Sequence, residues 1–216
     1  MAFHHSPRIV TDGLVLSLDA ADKNSYIGSG TTWTDLSTSG TDGTLSAAAI
    51  GTDVLGSMDF DGSSEYVTVA TMSDSTTLSV EMWINPDNTT ARAFLLNSGD
   101  FDINIDVHSA GMRINRNNAN HPRYTNPTVG AWTHFVVTAP NKTTDPTIYF
   151  NGILQTGSDA DYGTILGSTT NIGTWSAAAP QAYYDGKISS VKIYNRVLST
   201  KEVSQNFNAQ RSRFGV

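Results

Sequence analysis

The chain has 216 residues, a formal net charge of -7 and no cysteine. This composition excludes a disulfide framework and a thiolate metal centre, and it argues against general nucleic-acid binding, which needs a basic footprint to neutralise phosphates. No apolar run is long enough to span a bilayer and residues 1–11 lack the apolar core of a signal peptide, so a soluble chain assembled in the cytoplasm without membrane insertion is expected.

The charge is unevenly spread. Residues 1–106 hold 15 acids against 3 Lys/Arg, whereas residues 107–216 hold 5 acids against 10 Lys/Arg. If the two halves segregate on the surface, they supply a charge-complementary contact between subunits.

Residues 1–12 (MAFHHSPRIVTD) have no clear period and read as an arm, either frayed or engaged in assembly. GLVLSLD then alternates, with Leu14, Leu16 and Leu18 expected on one face of a first strand. Trp33 lies in a Ser/Thr/Gly-rich connection and reads as a core plug under a loop. Met58 to Val69 reads as strand, tight turn and strand, with Asp61-Gly62 at the turn. The nearby carboxylates Asp59, Asp61 and Glu65 raise calcium, a cation that takes about six to eight oxygens. Their spacing is not that of an EF-hand loop, and no cofactor is required by the pattern.

Leu78 to Ile84 is the clearest strand. Leu78, Val80, Met82 and Ile84 should point one way and Ser79, Glu81 and Trp83 the other. A carboxylate beside an indole is how a sugar-binding cleft is lined. The plainer alternative has Glu81 solvated and Trp83 packed under a loop. AFLLNS, FDINIDV and GMRIN give further strands, and Arg113 to Tyr124 follows as an exposed loop in the only long stretch without an acid. Its Arg113, Arg116, His121, Arg123 and Tyr124 suit an anionic glycan or an acidic patch on a neighbour, the alternative being a solvated hairpin tip.

Trp132 to Thr138 and Thr147 to Phe150 read as strands, and Asn151-Gly152 as a type I′ hairpin turn. His134 sits mid-strand, with no acid beside it in sequence, and reads as a packed residue. Trp175, with Tyr183 and Tyr184, falls near a turn, where a ligand platform or a subunit contact is expected. From Ile188 to Tyr194 both faces carry apolar bulk, Ile188 and Tyr194 on one and Val191 and Ile193 on the other, so this strand should be central and covered on both sides. Ser199-Thr200-Lys201-Glu202 is a capping box, and the helix after it should face Val203 and Phe207 inward. Arg211, Arg213 and Phe214 are expected beyond that helix as an assembly tail.

DGKISSVKIYNRVLSTKEV resembles the closing segment of laminin-G-like, concanavalin A-like jelly-roll domains. MDFDG with EYV, LSVEMWI, and GAWTH with IYFNG agree with it in the same order. The resemblance implies an all-β, two-sheet antiparallel jelly-roll sandwich over residues 13–198, with an N-terminal arm (1–12) and a short capped C-terminal helix and tail (199–216). In such domains calcium, where present, is held by loop carbonyls and scattered acids. Many members have an acidic pair where Ser189 and Ser190 stand here.

GLVLSLDAADKNSY, GSGTTWTDLS and NFNAQRSRFG together are similar to proteins of tailed phages, notably cyanophages. That narrower resemblance implies a non-enzymatic virion protein on the particle surface, a capsid decoration or fibre-associated subunit. Its partners would be other virion proteins and further copies of itself, as a trimer. The alternative is a carbohydrate-binding module for host-surface glycans. A glycoside hydrolase is the third reading, and the residues give it little. There are only three Glu (Glu65, Glu81, Glu202), and the nearest thing to a catalytic row is Asp102, Asn104 and Asp106 on one strand face. No nucleophile elbow, phosphate loop or HExxH motif is present, so no catalytic residue is assigned.

Overall fold

A computed structural model describes residues 7–47, 51–52, 55–101, 103–116, 121–161, 169–177 and 182–216. The strands of the first half are β1 (Leu14–Asp19), β2 (Thr32–Trp33), β3 (Gly43–Leu45), β4 (Gly51–Thr52), β5 (Met58–Asp61), β6 (Val67–Val69), β7 (Leu78–Pro86) and β8 (Ala93–Ser98). Then come β9 (Ile103–Val107), β10 (Met112–Arg116), β11 (His121–Tyr124), β12 (Thr133–Ala139), β13 (Thr147–Phe150), β14 (Ile153–Leu154), β15 (Ser158–Asp161), β16 (Thr170–Ile172) and β17 (Asp185–Tyr194). One helix, α1 (Thr200–Phe214), follows.

These strands form two antiparallel sheets. The first runs β14-β13-β12-β7-β17-β5-β4, with β1 also paired to β17. The second runs β15-β11-β10-β9-β8-β16-β6-β3-β2. The core lies between them. Leu78, Val80, Met82 and Ile84 from β7 meet Ile103, Ile105, Met112 and Ile114 from the second sheet, all with no solvent exposure. Trp33 is buried in the same core. No helix among the described residues is long and apolar enough to cross a membrane.

A second, smaller core explains why β17 is apolar on both faces. Val10, Val136, Tyr149, Tyr194, Leu198 and Val203 pack on the outer side of the first sheet, under α1. The capping box forms as expected: Ser199 Oγ accepts from the Glu202 amide, and Glu202 accepts from the Ser199 amide at 2.8 Å. The helix continues for 15 residues to Phe214. Asn151 and Gly152 both have positive φ, 51° and 77°, the geometry of a type I′ turn.

Two bulges change which residues share a face. A register shift between Leu14 and Leu16 leaves Leu16 and Leu18 in the main core but turns Leu14 toward the helix-side cluster, so the three leucines do not share one face. A second shift between Ile188 and Ser190 puts Ile188 in the main core with Val191 and Ile193, rather than on the Tyr194 side. One extra residue in a strand reverses the alternation beyond it.

Candidate functional site

The two sheets have different outer faces. On the first, Glu81 and Trp83 do point away from the main core, but both are fully buried. Neither is solvated or loop-covered, and neither lines an open cleft. Helix α1 lies over them because its Asn206, Phe207, Gln210 and Phe214 repeat at helical spacing. Asn206 donates to Glu81 Oε2, and Gln210 Oε1 accepts from Trp83 Nε1 at 3.1 Å and from Lys192 Nζ at 3.0 Å. Phe214 stacks on Trp83 with ring centroids 4.0 Å apart, and Phe207 stacks at 6.0 Å.

Beneath the helix, Lys192 Nζ is 3.2 Å and His134 Nε2 is 3.4 Å from Glu81 Oε1. The acid that His134 lacks in sequence reaches it from the neighbouring strand. Burial by itself pushes the Glu81 carboxyl up, but the Lys192 ammonium, His134 and the Asn206 amide together bring it down to about 2. A carboxylate held ionised and sealed from solvent is unsuited to act as a general acid.

The expected assembly tail belongs to this seal. Phe214 is the last helical residue, buried against Trp83 and Trp132. Arg213 pairs with Asp19 at 2.8 Å and donates to the Leu55 carbonyl. Arg211 remains exposed, its guanidinium 5.7 Å from the Phe207 ring centre. The N-terminal segment is tied down as well from Arg8 onward. The Val10 amide donates to Asn206 Oδ1, Tyr194 Oη donates to the Val10 carbonyl, and Gln205 donates to the Arg8 carbonyl. Residues 1–6 lie outside the described residues.

The second sheet presents a polar outer face. Asn115, Asn104, Asn97 and Asn171 stand opposite one another on four successive strands, and Thr68, Thr44 and Thr32 continue the row across three more. Directly paired residues share a face, and adjacent strands lie about 4.8 Å apart, so a hydrogen-bonding side chain recurs at each such step. The asparagine end is buried, and Thr44 and Thr32 are exposed.

Beside the asparagines is a charged and aromatic cluster. Arg113, expected on an exposed loop, is a mid-strand residue of β10 and is nearly buried. It donates to Asp106 Oδ2 through Nε at 3.1 Å and through Nη2. Arg92 donates to the same oxygen through Nε at 3.0 Å. The Arg92 guanidinium lies 4.6 Å from the ring centre of Phe94 and 4.8 Å from that of Trp175, and these rings are 5.0 Å apart. Asn97 donates to the Trp175 carbonyl and holds that loop over the sheet. Arg113 and Trp175, 62 positions apart in sequence, thus meet through Asp106 and Arg92.

The other expected contacts are dispersed. Tyr124 is not an exposed loop residue; it faces the main core and donates to the Pro146 carbonyl. Arg123 lines a cavity of about 400 Å³ with Ser109, Gly111, Thr125 and Asn126. Arg116 and His121 fall in β10 and β11, and their side chains lie outside the described residues, as does Asp102. Asp61 organises its own turn, accepting from the amides and hydroxyls of Ser63 and Ser64. Partial burial pushes its carboxyl up, but these four donors hold it well below the usual range. Among the described residues no group of three His, Asp or Glu is arranged to hold a metal ion.

Two antiparallel sheets with one patterned outer face define a lectin-type β-sandwich. Residues 61–204, well over half of the chain, match the concanavalin A-like lectin/glucanases superfamily (Laminin_G_3), and the chain belongs to that family. No curated protein sequence is a recognisable relative. Among solved structures, Trypanosoma rangeli sialidase in complex with the inhibitor DANA superposes with a TM-score of 0.66 at 16% identity, over 97% of this chain and 36% of the sialidase. The botulinum neurotoxin serotype D binding domain gives 0.63 at 14% identity, over 93% of this chain and 53% of that one. Domain 4 of AbnA, a GH43 extracellular arabinanase from Geobacillus stearothermophilus, in complex with arabinotriose, gives 0.59 at 16% identity, over 91% of this chain and 99% of that one. The chain therefore spans about a third of the sialidase and about half of the toxin domain, and the likeness to all three is one of fold.

Proposed function

We propose that the chain is a non-enzymatic glycan-binding module carried on the surface of a tailed-phage particle. The observation that carries glycan binding is the contrast between the sheets. The first is closed by the chain's own helix, while the second leaves Trp175 and Arg92 partly exposed beside a row of buried asparagines that continues into the accessible threonines Thr68, Thr44 and Thr32. Threonine hydroxyls and a guanidinium match sugar hydroxyls, and an indole matches the apolar face of a pyranose. An arabinanase domain of similar extent, solved in complex with arabinotriose, supports the same use of the fold. Binding is tested by glycan array with the purified protein. Retention of a defined glycan set, lost in Trp175→Ala while the melting temperature holds, is expected; binding unaffected by that change sinks the assignment of this face.

The particle location rests on the three segments similar to tailed-phage proteins. In this reading the chain decorates the capsid or attaches to a fibre, and other virion proteins and further copies of the chain, as a trimer, are its partners. Because Arg8 to Val10 and Arg213 to Phe214 are engaged within the chain, these partners are met by other surfaces. Mass spectrometry of purified particles should find the chain in stoichiometric amount, and light scattering should give the mass of three copies. Absence from the particles rejects the location, and a monomer rejects the trimer.

A further inference from the structure

Two cations converge on one anion in the second sheet. Arg92 and Arg113 both donate to Asp106 Oδ2. Arg113 is largely enclosed, with 11% of its side chain exposed, whereas Arg92 has 31% exposed. The more accessible guanidinium is therefore that of Arg92. Its Nε is committed to Asp106, while its two terminal nitrogens have no hydrogen-bond partner among the described residues. The side chain is held from three directions, by the Asp106 carboxylate and by the rings of Phe94 and Trp175. This is a preorganised planar fork beside an indole.

We propose that Arg92 is the specificity-determining residue of the glycan site, and that the ligand is a sugar bearing a carboxylate, such as a uronic acid. A guanidinium fork pairs with a carboxylate through two parallel N–H···O bonds. Trp175, in contact with the same guanidinium, takes the apolar face of the sugar ring. Asp106 and Arg113 act as positioning residues, fixing the fork without touching ligand. This inference rests on the glycan-binding reading and narrows its ligand class.

The experiment is a glycan array carrying neutral, uronate-, sialate- and sulfate-bearing oligosaccharides, probed with the wild-type chain, Arg92→Gln and Arg92→Lys. We expect the retained set to bear carboxylates. Arg92→Gln should weaken that binding by about 10- to 100-fold, the range of one charge-assisted contact, and Arg92→Lys should recover only part, because it restores the charge without the fork. A ligand-side control covers the case in which a variant folds poorly: reducing the carboxylates of a retained oligosaccharide to alcohols should abolish binding to the wild-type protein. A retained set that is wholly neutral or sulfated, or carboxylate binding indifferent to Arg92→Gln, overturns the inference and leaves glycan binding intact. Retention of no glycan of any kind removes the glycan reading itself.

Discussion

The outer faces of the two sheets begin from similar material and reach different ends. Each has a tryptophan, an acid and at least one cation in one cluster. On the first sheet Trp83, Glu81 and Lys192 are fixed under α1 and have almost no solvent exposure. On the second, Trp175 and Arg92 remain partly exposed while Asp106 anchors Arg92 and Asn97 holds the Trp175 backbone. What separates the closed face from the partly open one is therefore the element packed above it, more than the residue types on the strands.

The comparison can be broken most forcefully beneath the helix. Glu81→Leu strands Lys192 in a closed site without its counter-ion, and should cost about 3–5 kcal/mol in urea denaturation. Adding Lys192→Met should restore most of that loss, since a buried pair replaced by apolar residues is often neutral. If the double variant is as unstable as the single, the pair does not act as a unit. Trp83→Ala opens a void beneath Phe207 and Phe214 and is expected to cost about 3–5 kcal/mol, while Trp175→Ala on the other sheet costs about 1 kcal/mol or less. Equal losses at the two tryptophans would erase the distinction between the faces.

Acid should also act on the helix side. Glu81 is lowered to about 2 by the groups around it, and Glu202 to about 2 by Arg196 and the Ser199 amide. A carboxyl with a depressed folded-state pKa stabilises fully above its unfolded value, near 4.5, and loses that contribution as pH falls toward 2. The melting temperature should drop through this interval, and more shallowly in Glu81→Gln; parallel profiles would show that Glu81 is not responsible. The smallest effect is expected at the helix start. Ser199→Ala removes one half of the capping box and should lower stability by about 1 kcal/mol, with no change in binding at the second sheet.

Much of the architecture could be read from residue order, because it is written in local signals. The alternation in β7, the Asn151-Gly152 turn, the two-sided β17 and the Ser199 to Glu202 box each lie within one short stretch. The bulges after Leu14 and Ile188 were not legible, since an extra residue in a strand leaves no mark in composition. The site was only half legible. Arg113 and Trp175 could be singled out, yet Arg92 stands in a connection with no periodicity, and nothing short of the second sheet's register joins it to them. The asparagine row is harder still, for its members come from four strands brought side by side by topology alone. Conversely, Glu81 and Trp83 gave a strong local signal that α1, more than 100 residues later, takes over.

The pairing of β1 with β17 has a consequence for how the protein is made. Leu14 to Asp19 leaves the ribosome long before Asp185 to Tyr194, so the first strand cannot take its native place until that distant strand has been synthesised. Such distant closure slows folding, because chain entropy must be surrendered before the contact forms. Until then β7 lacks the neighbour it meets along its full length, and its exposed edge is open to pairing with another unfinished copy. A translation product that stops before Asp185 should therefore gather into aggregates, whereas one that ends after Phe214 carries both the missing strand and the helix that covers it.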